Sequence, residues 1–181
     1  MPVAVLIMAC ASQVVAQDIW DVAEQNIRRL PPDSFPGLPD YVRREMVRLE
    51  CAVPQGSDLD QPHNVLAGRF ATPSQVDWAF LCSRDGASSI QVLWGGDQRC
   101  TTPVSQLEDR SFLQGMGEDV IGFSRRLMPI ERDRMIRYAA EFHGPPIPDV
   151  WHQGIEDYFE GKASTVLLCV DGKWIKFGGI D

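Results

Sequence analysis

Residues 164–177 read STVLLCVDGKWIKF, two β-rich runs on either side of Asp171-Gly172. Asp-Gly between such runs is a strong short-range signal for a two-residue type I′ hairpin, because both central positions need positive φ. A two-residue turn also fixes the register. Val166 is expected to face Phe177 and Leu168 to face Ile175, while Cys169 sits opposite Trp174 on the other face.

The same reading works upstream. Val76–Cys82 and Ser89–Trp94 form a second strand pair, with Arg84-Asp85-Gly86-Ala87 as the turn and Gly95-Gly96 as the stop. Along the first run, Val76, Trp78, Phe80 and Cys82 point one way, and Asp77, Ala79 and Leu81 the other. A strand apolar on both faces belongs in the interior of a sheet. Val65–Phe70 is a further candidate strand. Residues 97–129 offer only short apolar pieces at Phe112-Leu113 and Val120–Phe123, broken by Gly115 and Gly117.

Three stretches have helical spacing. Asp18 can cap a helix to about Leu30, with Ile19, Trp20, Ala23 and Ile27 on one face. Asp40 opens a second, to about Glu50, on Val42, Met46 and Leu49. The third runs from Ile130 to Phe142, and Gly144 offers its C-terminal cap. Proline-rich connections at Leu30–Pro39 and Gly144–Pro148 separate helices from strands. Strand clusters divided by helices, without strict βαβ alternation, predict an α+β fold with a largely antiparallel sheet, two N-terminal helices and one helix near residues 130–142.

The totals narrow the function classes. A chain of 181 residues with 44% hydrophobic and 23% charged residues fits one globular domain. A net charge of −8 argues against nucleic acid, which needs a basic footprint, and against an anionic membrane surface. The first 17 residues carry no charge, and Val3–Ala11 is almost continuously apolar. With Val14-Val15-Ala16 behind it, this run reads as a signal peptide over residues 1–16, leaving one domain at 17–181. The run is too short to read as a membrane span, and none is expected in the mature chain. Ile7-Met8-Ala9-Cys10 loosely fits a lipoprotein box, so anchoring at Cys10 is a minor alternative. A buried apolar first helix in a cytosolic protein is another. The expected location is periplasmic or secreted.

Cleavage there would remove Cys10 and leave Cys51, Cys82, Cys100 and Cys169. An even number in an exported chain suggests two disulfides with three possible connectivities. Cys51–Cys82 with Cys100–Cys169 is the expected one. The alternative is four buried free thiols. No C-x-x-C spacing supports a zinc or thioredoxin-type motif.

Signals for chemistry are sparse. His152 and Glu156 would share a helix face and could grip a metal, but Gly154 interrupts and no third ligand is spaced to help. Glu156, Asp157 and Glu160 form an acidic cluster that could do acid–base work on a glycoside if two carboxyls stood about 5–10 Å apart. The alternative for these residues is a cap and a solvated surface. Ser88 and Ser89 lack a nucleophile elbow, and no glycine-rich phosphate loop occurs, so no cofactor and no metal are expected. Ser57-Asp58-Leu59-Asp60 lacks the rest of a calcium loop and reads as a turn. The tryptophans could line a sugar platform or simply fill the core.

Residues 68–80, GRFATPSQVDWAF, carry Gly68, Phe70, Asp77 and Ala79 in the register of an FG-GAP or VCBS-type repeat, and the stretch to Gly95 resembles one such hairpin. Ala71 and Pro73 stand where that family's calcium ligands would be, so the resemblance extends to the hairpin and not to a calcium site. One copy excludes a propeller. More broadly, the segments Leu30–Pro39, Asn64–Gly96, Ile121–Ser124 and the closing hairpin resemble a group of uncharacterised exported bacterial proteins. That resemblance implies export and a single domain, and brings no catalytic residue with it. The resulting expectation is a non-enzymatic exported module that binds or inhibits an envelope or extracellular protein or glycan. The alternative is a small exported hydrolase using His152, Glu156, Asp157 or Glu160.

Overall fold

The computed structural model describes residues 18–117 and 120–180. The predicted signal peptide and Cys10 lie outside the described residues.

The chain opens with α1 (Ile19–Gln25), capped by Asp18, whose Oδ1 accepts from the Trp20 amide at 3.3 Å. The helix stops short of the expected Leu30. Arg29 and Leu30 leave it to form β1, which pairs with β2 (Val53–Pro54). Helix α2 (Asp40–Arg48) starts from Pro39, so Asp40 occupies the first turn and does not cap. Its buried residues are Val42 and Met46.

Strands β3 (Val65–Gly68), β4 (Asp77–Arg84), β5 (Ala87–Leu93) and β6 (Val104–Glu108) follow as one sheet in that order. A short ribbon of β7 (Leu113–Gly115) and β8 (Ile121–Phe123) comes next. Then β9 (Arg125–Ile130), α3 (Arg132–Glu141), β10 (Gly154–Phe159), β11 (Ala163–Val170) and β12 (Lys173–Gly178) build a second sheet in the order β12-β11-β10-β9. Every strand pair is antiparallel, so the α+β class holds. Helix α3 begins two residues later than expected, because Ile130 ends β9 and Glu131 is the N-cap. Pro129 is tolerated in β9 because that strand is an edge.

The closing hairpin has the expected register: Val166 faces Phe177, Leu168 faces Ile175 and Cys169 faces Trp174. Asp171 and Gly172 take φ of 48° and 77°, and Asp85-Gly86 repeats the geometry at 50° and 79°.

The two sheets pack face to face. Ala79, Leu81, Ile90, Val92 and Val104 from the first meet Leu127, Ile155 and Leu167 from the second. On the outer face of the first sheet, Phe80 and Cys82 bury against Val42 and Met46 of α2. On the outer face of the second, Val166, Leu168 and Phe177 bury against Met135, Tyr138 and Ala139 of α3. The layers therefore run helix, sheet, sheet, helix. Disulfides join Cys51 to Cys82 and Cys100 to Cys169, with Cα–Cα distances of 4.8 and 5.9 Å. The first fixes the end of α2 to β4, and the second links the loop before β6 to β11.

Candidate functional site

The acidic residues expected on a helix start lie instead on and just beyond β10, and strand geometry separates them. Glu156 points outward, beneath α3. It is fully buried, and its Oε1 accepts from Ser164 Oγ at 2.6 Å while Oε2 accepts no hydrogen bond among the described residues. Asp157 points inward, between the sheets. There it takes a bidentate pair from Arg125, Nε to Oδ1 at 2.8 Å and Nη2 to Oδ2 at 2.9 Å, and a further bond from Ser105 Oγ. Arg125 also donates to Ser88 Oγ at 2.8 Å and to the Ser105 carbonyl, and its guanidinium lies 4.4 Å from the centre of the Phe112 ring. Every polar arm of this pair is committed inside the protein. Ser88 is thus an arginine acceptor.

His152 precedes β10 and shares no helix face with Glu156. It is buried, with Nδ1 3.0 Å from the Gln153 carbonyl oxygen. Glu160 lies beyond the end of β10 and accepts from Arg126 Nη2 at 2.7 Å, the same nitrogen that serves Asp58 at 2.7 Å. Burial, and then the neighbouring Asp58 carboxyl, raise Glu160 above its ordinary range against the pull of Arg126. Close by, His63 Nε2 accepts from the Gly56 amide at 2.7 Å, and Nδ1 lies 3.0 Å from the Gln61 carbonyl oxygen. Burial pushes His63 below its ordinary value. Sequence spacing could not signal this group, since its members come from three distant segments. Among the described residues, no set of three His, Cys, Asp or Glu is placed to hold a metal ion, and no helix is long and apolar enough to cross a membrane.

A run of surface clefts lies elsewhere. A groove of about 540 Å³ runs between α2 and the outer face of β5 and β6. It arises because Phe80 and Cys82 on β4 are covered by α2, whereas their cross-strand neighbours Gln91 and Ser89 on β5 are not apolar and face the groove. Neighbouring clefts share walls with it. Glu45, Val92 and Leu93 also line a cleft at Tyr41 and Trp94, and Tyr41 and Gly96 also line a third. Thr72 and Gln98 carry the surface on to a fourth cleft beside Trp151 and His152. Each cleft thus shares lining residues with the next, and aromatic side chains are spaced along the run. Tyr41 is 49% exposed and Trp151 71%. Arg132 stacks on Trp151 with its guanidinium 4.8 Å from the ring centre, which holds the indole outward.

No family model, curated protein or solved structure matches the chain.

Proposed function

We propose that the chain is a non-enzymatic exported module that binds or inhibits an extended envelope or extracellular partner along this run of clefts. The observation that carries the reading is that each of the four clefts shares lining residues with the next, with Tyr41 and Trp151 exposed along them. Exposed aromatics are common anchors of binding surfaces; Tyr41 stands in the first turn of α2, and Trp151, in the connection before β10, is braced by Arg132. Two disulfides support export, since such bonds persist in oxidising compartments. The resemblance of the sequence to exported bacterial proteins points the same way.

A second reading, a small hydrolase, draws on the pairing of Glu160 and Asp58 across Arg126, because a carboxyl with a raised pKa can act as a general acid. Native mass spectrometry of the oxidised protein with a panel of oligosaccharides and extended peptides separates the two. The binding reading expects a saturable complex that releases its ligand intact. Tyr41→Ala or Trp151→Ala should weaken it, and Glu160→Gln should leave it alone. A cleaved ligand, with cleavage lost in Glu160→Gln, would establish the hydrolase instead.

A further inference from the structure

Building on the binding reading, we infer that the groove between α2 and β5–β6 takes an uncharged glycan. Four features of the site carry this. The first is charge. Glu45 and Arg48 on the α2 wall neutralise each other through bonds of 2.7 and 2.5 Å, and Arg84 and Asp85 at the far end bring one charge of each sign. A polyanion or a polycation would find no complementary field there.

The second feature is the chemistry of the floor. Ser89, Gln91, Thr102 and Gln106 present neutral groups that both donate and accept. They are partly ordered in advance: Gln91 Nε2 donates to Ser89 Oγ at 3.0 Å, Thr102 Oγ1 donates to Gln91 Oε1 at 3.3 Å, and Thr102 Oγ1 accepts from the Val92 amide at 3.2 Å. One amide hydrogen of Gln91 and its remaining acceptor capacity stay available to a ligand. Sugar hydroxyls, which also donate and accept, match this lining.

The third feature is the backbone. The groove meets β5 on the face of its sheet, and from Ala87 to Ile90 β5 is paired on both sides, to β4 and to β6. A peptide could not add to that stretch as a strand. The fourth is the aromatic end. Tyr41 stands exposed where the groove meets the next cleft, and Trp94 lines the same junction. The electron-rich face of an aromatic ring suits the polarised C–H face of a pyranose, while the ring hydroxyls point to the floor. A volume near 540 Å³ lies within the range of ligand pockets.

The test is isothermal titration of the oxidised, full-length protein with chitohexaose, cellohexaose and maltohexaose. A galacturonate hexamer serves as the anionic probe and an unstructured ten-residue peptide of Ser, Gln and Thr as the peptide probe. At least one neutral hexasaccharide should bind saturably, with Gln91→Ala and Thr102→Val each weakening it about five- to ten-fold, as expected for one hydrogen bond lost. Gln91→Ala should keep the wild-type Tm, whereas Thr102→Val, which also removes the acceptor of the Val92 amide, should lower it slightly while leaving the fold intact. Salt should change the affinity little, since no net charge is engaged. Preference for the galacturonate would overturn the inference, as would binding indifferent to both variants or no saturable binding of any neutral hexasaccharide at millimolar concentration. Binding of the peptide alone, weakened by Tyr41→Ala, would overturn the glycan and leave the binding module standing.

Discussion

The two four-stranded sheets each carry one helix on the outside, yet they are finished differently. A helix is about 10 Å across, and strands lie about 4.8 Å apart, so one helix covers roughly two strands. On the second sheet the shortfall is made up. Ile147 and Val150 of the proline-rich linker pack beside α3 against Val166, Leu168 and Phe177, and even Glu156 is sealed in. On the first sheet α2 and the arm around Phe35 and Leu38 cover β4, while the groove opens along β5 and β6. A sheet face that folding does not need to close, and that carries neutral polar groups rather than lysines and glutamates, is where a ligand can be accommodated without loss of stability.

The layer both sheets share should be the most sensitive part of the molecule. Asp157→Ala leaves Arg125 buried without its partner, and should lower the unfolding free energy by about 3–5 kcal/mol in urea titrations. The disulfides should come next. Replacing Cys100 and Cys169 by Ala frees a 69-residue separation and should cost about 4 kcal/mol. Removing Cys51–Cys82, with its 31-residue separation inside one half, should cost about 0.7 kcal/mol less. A larger loss from the shorter loop would contradict the chain-entropy account.

The covered face should be more sensitive than the open one. Leu168→Ala, fully buried under α3, should cost about 2–5 kcal/mol. Gln91→Ala, on the open face, should stay within about 0.5 kcal/mol of wild type. Equal losses at the two positions would mean that the groove is packing surface after all.

At the seam between the halves, two groups around Arg126 respond oppositely to acid. The fold favours neutral His63, so its contribution is complete above the ordinary value of 6.5 and declines as pH falls below it, where the unfolded chain takes up the proton first. Glu160 is raised, so the folded state takes up its proton first. Its effect is a gain in stability as pH falls through the raised pKa, complete below 4.5. His63→Gln should therefore remove a loss on acidification, and Glu160→Gln should remove a gain. Urea midpoints followed from neutral to acid pH read both signs.

Much of the fold was legible because its hairpins obey local rules. Asp171-Gly172 alone determines the register of β11 and β12, and the two-sided apolar pattern of β4 places it inside its sheet. The strands β9 and β10 were hidden for one physical reason. Their core positions hold Arg125 and Asp157, which satisfy each other across the β9–β10 pair and break the apolar alternation that marks a strand. The same substitution of charge for apolar packing made Glu156 and Asp157 look like a surface cluster. The candidate site was only half visible. Ser89 and Gln91 alternate with Ile90 and Val92 in the sequence, but whether a helix covers them depends on where α2 lands, which is a tertiary fact. Glu160 could be singled out, whereas Asp58, Arg126 and His63 join it only through folding.

The most direct test is an amide-resolved NMR titration with each of the three neutral hexasaccharides, following the side-chain amides of Gln91 and Gln106 and the backbone of both sheets. Saturable shifts are expected at Gln91, Gln106, Thr102 and Tyr41, with the backbone of α3, β11 and β12 unmoved. Shifts centred on the α3 face, or none at the groove, would rule out the groove as the glycan site.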